Sequence, residues 1–398
     1  MGIVFLRAWP VRRSIFEASI KFDHHGLIRL RIVVLILSFA VAACSFLINH
    51  AHGQNAQLEQ SVAAIMHRDQ VPGVVYRVTQ WSDQSGQGRV ITEAAMGHRD
   101  NEATEPITVD DHFFIGSVSK LFVGDLFRKQ LLRGEMKLED TLQDYLPSYP
   151  GGDQITLAML SNHTSGLNDL IAQKSFRWSV TLKPAKRWSL QELVSLSTML
   201  PTDSRPGTTF RYSNVNTALL AHVLETNANQ VFDYLMQTHL RDDLQLEHTG
   251  TGDLPEPHGH GYRHAKPNQW IGYGDQFTDV SFASPDWTGP AGNLFSTLDD
   301  LSNALPTIAD RCGQVAASGI MPPSVLAHRN RRYGCQIEYR DDGACGHCGN
   351  VPGYSAAAWH YPAQKQTVVV LCNLSNAPNR SSPAETIADL LIRETIEH

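Results

Sequence analysis

The sequence predicts a mixed α/β (α+β) fold: strands from both ends of the chain build one sheet, and the middle forms a helical subdomain beside it. Three observations carry this reading. β-Branched and aromatic residues cluster over 71–78 and 89–92, near the start. Apolar residues then recur at helical spacing through much of 120–330. From 333 the period changes back to strands, over 333–340, 344–349, 355–361 and 367–374, before a last amphipathic helix at 383–396.

Composition bounds the answer. The chain has 398 residues, 42% apolar and 18% charged, which reads as globular and allows one or two domains. A net charge of −7 leaves no footprint for nucleic acid, so none is expected as a partner.

Residues 1–53 read as a targeting segment. Arg7, Arg12, Arg13, Lys21, Arg29 and Arg31 precede an apolar run from Ile32 to Ile48. That pattern is a secretory signal with a long basic start. Three ends to the export stay open: cleavage after Gly53, lipidation at Cys44 within Val41-Ala42-Ala43-Cys44, or an uncleaved anchor. Each places the protein outside the cytoplasm, in the periplasm or tethered to a membrane facing it. Five cysteines follow Cys44, an odd number, in a setting where disulfides persist.

The remaining elements follow in order. Leu58, Val62, Ile65 and Met66 mark a helix over 54–70. The strand patterns at 71–78 and 89–92 flank a Ser/Gly/Gln-rich turn, and 97–108 is loop-like. After Lys120, the stripe Leu121, Phe122, Leu126, Phe127, Leu131, Leu132 is helical and ends at Gly134, a natural C-cap. Further helices are expected at 155–161, 188–199, 214–228, 230–239 and 297–308, with Pro/Gly/His-rich connections across 250–294. The sheet would come from about 71–116 and 333–398, the helical subdomain from about 120–330, all within one domain at 54–398. A site between the two halves is a natural pocket.

The chemistry centres on Phe113-Phe114-Ile115-Gly116-Ser117-Val118-Ser119-Lys120. Positions i and i+3 share a helix face, so Lys120 can meet the Ser117 hydroxyl in the first turn. A serine needs such a neighbour to act as a nucleophile near neutral pH. The helix start adds unpaired N–H groups suited to an oxyanion. Three further segments stand out: Leu160-Ser161-Asn162-His163-Thr164-Ser165-Gly166-Leu167, then Pro206 to Tyr212-Ser213-Asn214, then Gly346-His347-Cys348-Gly349-Asn350. Ser165-Gly166 is read as shaping a turn.

Together these segments resemble the penicillin-recognising serine hydrolases, a superfamily that includes class C β-lactamases, D-alanyl-D-alanine carboxypeptidases, D-aminopeptidases and related esterases. Tyr212-Ser213-Asn214 matches its Tyr-x-Asn motif and His347-Cys348-Gly349 its His-x-Gly motif; Gly292 to Leu301 resembles a further family segment. The likeness covers roughly 60–395. It implies the β-lactamase/transpeptidase-like fold, an antiparallel sheet flanked by helices plus an all-α subdomain. It also implies catalysis by Ser117, Lys120 and Tyr212, with either of the last two as the base. Oxyanion donors would be the backbone N–H groups of Ser117 and Asn350. Asn214 would hold the substrate amide, Gly349 would let substrate lie close to the strand, and His347 would face the ligand's carboxylate. A third motif of His-Cys-Gly in place of Lys-Thr-Gly shifts the expectation from lactamase toward a D-alanyl-D-alanine carboxypeptidase-like peptidase, with an esterase or β-lactamase behind it. A non-catalytic penicillin- or wall-binding module is the reading from another class, and the intact Ser-Lys-Tyr set argues against it. The substrate would be a D-Ala-D-Ala peptide, an ester or a β-lactam.

Cys345-Gly346-His347-Cys348 has the letters of a redox motif, but strand patterns on both sides deny it the helix start that chemistry needs. A hairpin turning at Asp341-Asp342 sets Cys335 roughly opposite Cys348, which leaves a structural disulfide there open rather than established. No Gly-x-Ser-x-Gly elbow, His-Glu-x-x-His pair or zinc-spaced Cys/His set occurs, so neither metal nor cofactor is expected.

Overall fold

The structure is a computed structural model that describes residues 55–82, 86–265, 276–319, 325–327 and 331–396. The basic and apolar N-terminal segment, with Cys44, lies outside the described residues. Residues 58–398 form one compact unit.

Helix α1 (residues 55–69) leads into β1 (Gly73–Trp81) and β2 (Gly88–Gly97). β3 (Phe113–Phe114) precedes a 3-10 turn at Gly116–Val118 and α2 (Ser119–Leu132). Gly134, at φ 69°, closes α2 with N–H bonds from Gly134 to Leu131 O and from Glu135 to Gln130 O, the paired bonds of a Schellman cap. The middle holds α3 (Leu142–Tyr145), α4 (Leu157–Ser161), α5 (Lys174–Leu182), α6 (Leu190–Ser197), α7 (Asn214–Ala228) and α8 (Phe232–Thr238). β4 (Gly250–Thr251), β5 (Tyr262–Ala265), β6 (Gln276–Asp279) and β7 (Leu294–Ser296) follow, then α9 (Leu298–Ala317). The end of the chain carries β8 (Val325–Leu326), β9 (Arg332–Gly334), β10 (Ile337–Tyr339), β11 (Cys345–Val351), β12 (Tyr354–Tyr361), β13 (Gln366–Cys372) and α10 (Pro383–Thr395).

Both chain ends build the main sheet, in the order β2-β1-β13-β12-β11-β10-β9-β8 with every neighbour antiparallel. Its period of two separates two cores. Val369 and Leu371 of β13 and Val75 of β1 face α2 and α9. Val368, Val370 and Cys372 face the other way, with Leu58, Val62, Ile387 and Leu391 of α1 and α10. This alternation is what a sheet covered on both faces requires.

Several expectations are corrected. β3 leaves the main sheet and pairs with β7 in a small sheet, β3-β7-β4, while β8 joins the main sheet from the segment assigned to helices. The middle is therefore not purely helical. The strand expected over 333–340 is a tight hairpin, because Cys335 and Gln336 both take positive φ (52° and 62°). Buried polar bonds hold this turn: Arg128 Nη1 donates to Cys335 O at 2.7 Å, and Gln336 Nε2 to Leu160 O at 3.1 Å. α9 runs past the expected end at 308, through Pro306 to Ala317. Ile308, Ala309, Cys312 and Val315 are buried, and their burial outweighs the lost hydrogen bond.

The Cys335–Cys348 disulfide left open by the sequence does not form; both are free thiols. Cys335 sits in the core facing α2 and α9, whereas Cys348 packs on the opposite face of the sheet. Cys345 and Cys348, three apart on β11, likewise point to opposite faces. Burial raises the Cys345 thiol to about 12, so no thiolate pair exists for redox chemistry. Alkylation of the unfolded, unreduced protein should therefore modify Cys312, Cys335, Cys345, Cys348 and Cys372 alike. Peptide mapping that finds any two of these cross-linked would contradict the arrangement.

Candidate active site

The site starts from a glycine. Gly116 takes φ 52°, and a Cβ there would lie 2.6 Å from Asn350 N. The turn this allows brings Ser117 to the mouth of α2, half exposed, against the end of β11. Ser119, two residues on, is fully buried, and its Oγ accepts the Leu294 N–H at 3.2 Å, tying the turn to β7.

Lys120 is completely buried on the next face of α2. Its Nζ lies 3.1 Å from Ser117 Oγ, 2.9 Å from Asn214 Oδ1 and 2.7 Å from Ala291 O. Two of these three partners are carbonyl oxygens, which can only accept. An amine that donates to both directs its remaining position at Ser117. Burial lowers the Lys120 amine to about 7, against the weaker pull of Asp169 and Glu338.

Tyr212 arrives from the segment before α7. Its hydroxyl donates to Ser117 Oγ at 2.9 Å, and Lys120 Nζ lies 4.9 Å from its ring centre. Burial pushes the Tyr212 phenol far up from its ordinary value. Ser213 is the N-cap of α7, accepting from Val215 N at 3.2 Å, which frees Asn214 at the first helical position to face Lys120. The structure thus joins Ser117, Lys120, Tyr212 and Asn214 in one bonded cluster. It turns the Asn214 side chain toward the lysine.

Gly349 has a different reason from the expected one. A Cβ on Gly349 would stand 1.8 Å from Ile115 O and 3.1 Å from Ser117 N. The close neighbour is the nucleophile's own turn. Glycine is required for β11 to pass that turn, which brings the backbones of Ser117 and Asn350 together. The Asn350 side chain is committed elsewhere, donating to Ser375 O.

His347 is 2% exposed, and both ring nitrogens are engaged. Nδ1 lies 2.6 Å from Cys348 O, which can only accept, so Nδ1 carries the proton. Nε2 then accepts from Tyr333 OH at 3.3 Å. Burial lowers the ring to about 4, leaving it neutral. The histidine expected to face a carboxylate is therefore uncharged.

Sequence reasoning missed four participants. Asp169 accepts from Asn214 N at 2.8 Å and from Ile171 N at 3.1 Å, setting the start of α7. Its position two residues after Leu167, at an aspartate-capped turn, was the available signal. Ala291 O holds Lys120 and Tyr333 holds His347, and neither has a motif to mark it. His163, in a segment that was singled out, packs its ring 4.5 Å from that of Tyr212. Ser165 and Gly166 shape a turn as expected: Ser165 Oγ bonds Asn216 Oδ1 at 2.5 Å, and Gly166 has φ 75°. The segment resembling a family motif at 292–301 is structural, with Thr297 capping α9. No group of three or more His, Cys, Asp or Glu fit to hold a metal occurs among the described residues.

Comparison with known proteins gives a consistent frame. A family model described as beta-lactamase matches residues 58–392. A β-lactamase of Pseudomonas fluorescens is 27% identical over 195 residues, 48% of this chain and 49% of that relative. A putative penicillin-binding protein of Bacillus subtilis (strain 168) is 23% identical over 166 residues, 41% of this chain and 39% of that relative. The chain therefore spans half or less of the length of these two curated relatives. In fold, the chain is similar to a D-stereospecific amidohydrolase from Streptomyces sp., with TM-score 0.71 at 21% identity over 86% of this chain and 99% of that one.

The packing of β11 generates a test. Gly349→Ala should displace the Ser117 turn and slow acylation of Ser117 about a hundredfold, as misplacement near 1 Å does. The rate of labelling by a serine-directed fluorophosphonate checks this, with circular dichroism confirming the fold. A wild-type rate would show that the turn does not depend on the glycine.

Proposed function

The chain belongs to the β-lactamase family, and from that premise we propose that it is a serine hydrolase working through an acyl-Ser117 intermediate. The observation that carries the proposal is the shared contact on Ser117 Oγ, with Lys120 Nζ at 3.1 Å and Tyr212 OH at 2.9 Å. Nucleophile, base and proton donor meet without substrate present.

The base is Lys120. An amine lowered to about 7 is about half neutral at pH 7 and largely neutral by pH 8, and its lone pair faces the serine hydroxyl. Tyr212 stays protonated. It donates to the alkoxide as it forms, then relays the lysine proton to the leaving group. The N–H groups of Ser117 and Asn350 take the oxyanion, and Asn214 serves by fixing Lys120.

For the substrate, His347 is decisive. A neutral ring with both nitrogens occupied supplies no charge for a carboxylate. This favours an uncharged acyl donor, a peptide amide or an ester, over a free D-alanyl-D-alanine end or a β-lactam. Carboxypeptidase action on D-alanyl-D-alanine ends is the second reading, favoured by the likeness to a putative penicillin-binding protein. The basic and apolar start of the sequence supports work outside the cytoplasm, in the periplasm or on a membrane facing it.

Ser117→Ala should lower hydrolysis of a p-nitrophenyl ester at least about a thousandfold. In a parallel panel, the ester and a peptide amide should outpace both a chromogenic cephalosporin and a D-Ala-D-Ala peptide. Faster turnover of either carboxylate-bearing substrate would return the assignment to lactamase or carboxypeptidase.

The pH profile follows from the lysine. The base works deprotonated, so the acylation rate should climb about tenfold per unit below pH about 7 and level off above it. A rate that falls across the same range would exclude Lys120 as the base.

A further inference from the structure

α5 departs from the rest of the surface. Its buried side is formed by Phe176 and Val180, but its outer stripe exposes Trp178 (62%) and Leu182 (73%). A neighbouring loop is tied to the residues after α5 by the Ser284 N–H donating to Pro184 O at 2.9 Å. That loop carries Phe282, 56% exposed. A groove of about 800 Å³ opens between α5 and α6, floored by Leu170, Phe176 and Leu196 and rimmed by the exposed Met199. On α5 the groove is lined by Ser175, Phe176 and Ser179, beside the stripe that carries Trp178 and Leu182; large exposed apolar groups on neighbouring segments mark an interaction surface.

The charge around this face selects the partner. From Leu170 to Gln191 there are five basic residues, Lys174, Arg177, Lys183, Lys186 and Arg187, and no acidic one, in a chain of net charge −7. Lys186 and Arg187 form ion pairs, with Glu192 and with Asp253 and Asp286. Lys174 and Lys183 form none among the described residues. Arg177 donates to the carbonyls of Ile171 and Ala172, which leaves its charge uncancelled. A second copy docking face to face would oppose these cations to one another. An anionic surface would not. A tryptophan and a leucine bordered by lysines, on a helix of nine residues, suit the headgroup layer rather than the membrane interior.

We propose that α5 and the Phe282 loop form a docking face for a bilayer surface that contains anionic lipid. The contact is separate from any tether through the N-terminal segment. It also lies close in the chain to the candidate site. Arg177 grips the turn at 170–172, and that turn is capped by Asp169, whose carboxylate also accepts the Asn214 N–H.

The test uses the full chain and reads α5 itself, so that an N-terminal tether cannot produce the signal. Hydrogen exchange over 174–182 is followed with phosphatidylcholine vesicles and with vesicles containing phosphatidylglycerol. The expected result is protection of α5 by the anionic vesicles alone, weakened by high salt. Lys174→Glu with Lys183→Glu should reduce that protection about tenfold in vesicle titration. Trp178→Ser with Leu182→Ser should abolish it, while the rate of Ser117 labelling in solution stays unchanged. Equal exchange with and without anionic vesicles would overturn the proposal, as would equal protection by neutral vesicles. Protection that grows with protein concentration in the absence of lipid would assign the face to self-association instead.

Discussion

The arrangement around Ser117 depends on one unfavourable act, the complete burial of the Lys120 amine. A buried ammonium is costly, and the ordinary response of a protein is to neutralise it. Here the two acceptors that receive the amine, Ala291 O and Asn214 Oδ1, are themselves uncharged. They solvate a neutral amine well and a cation incompletely. Three distant segments must converge to supply this: α2, the 3-10 segment that ends at Ala291, and the first residue of α7. Ser119, Asp169 and Ser213 each use a side-chain bond to hold one of those segments in place.

The features legible in sequence were those fixed by local geometry. Ser117 and Lys120 follow from i,i+3 spacing, and the bounds expected for α7, 214–228, coincide with the observed ones. The central strands of the sheet are visible as short, nearly continuous apolar runs because both faces are covered. What stayed hidden depends on partners distant in the chain. The charge state of His347 is set by burial that no local pattern announces, and its Nε2 is held by Tyr333, on another strand. Gly349 was recognised as a close-approach residue, but what approaches it, Ile115 of the nucleophile's turn, lies over two hundred residues earlier. The Cys335–Cys348 pairing failed on parity. A turn at Cys335-Gln336, built from residues that seldom take positive φ, placed the first thiol in the other core.

That turn also joins the two halves of the site. Arg128 of α2 grips its Cys335 carbonyl, while Gln336 is held by Leu160 O and by Thr217 Oγ1 at 2.7 Å. The strand leading into the turn carries Tyr333, and the strand leaving it carries Glu338, whose charge is felt at Lys120 and His347. One hairpin therefore sets the position of the tyrosine that holds His347 and of a carboxylate that acts on the lysine. Its strained backbone persists because buried polar groups on three helices over-determine it.

The scattered thiols have a consequence for how the molecule is made. In the folded state burial keeps them protonated, and β11 holds Cys345 and Cys348 on opposite faces. An unfolded chain emerging into an oxidising compartment has no such protection, and Cys345 and Cys348 are then near neighbours along a flexible strand. Closing that short loop would forbid the alternation that β11 needs to place His347 and Gly349. If the chain is exported, as proposed, maturation is a race in which the sheet must form before oxidation reaches β11. Secretion yield would then follow the redox state of the host compartment more closely than the stability of the finished fold.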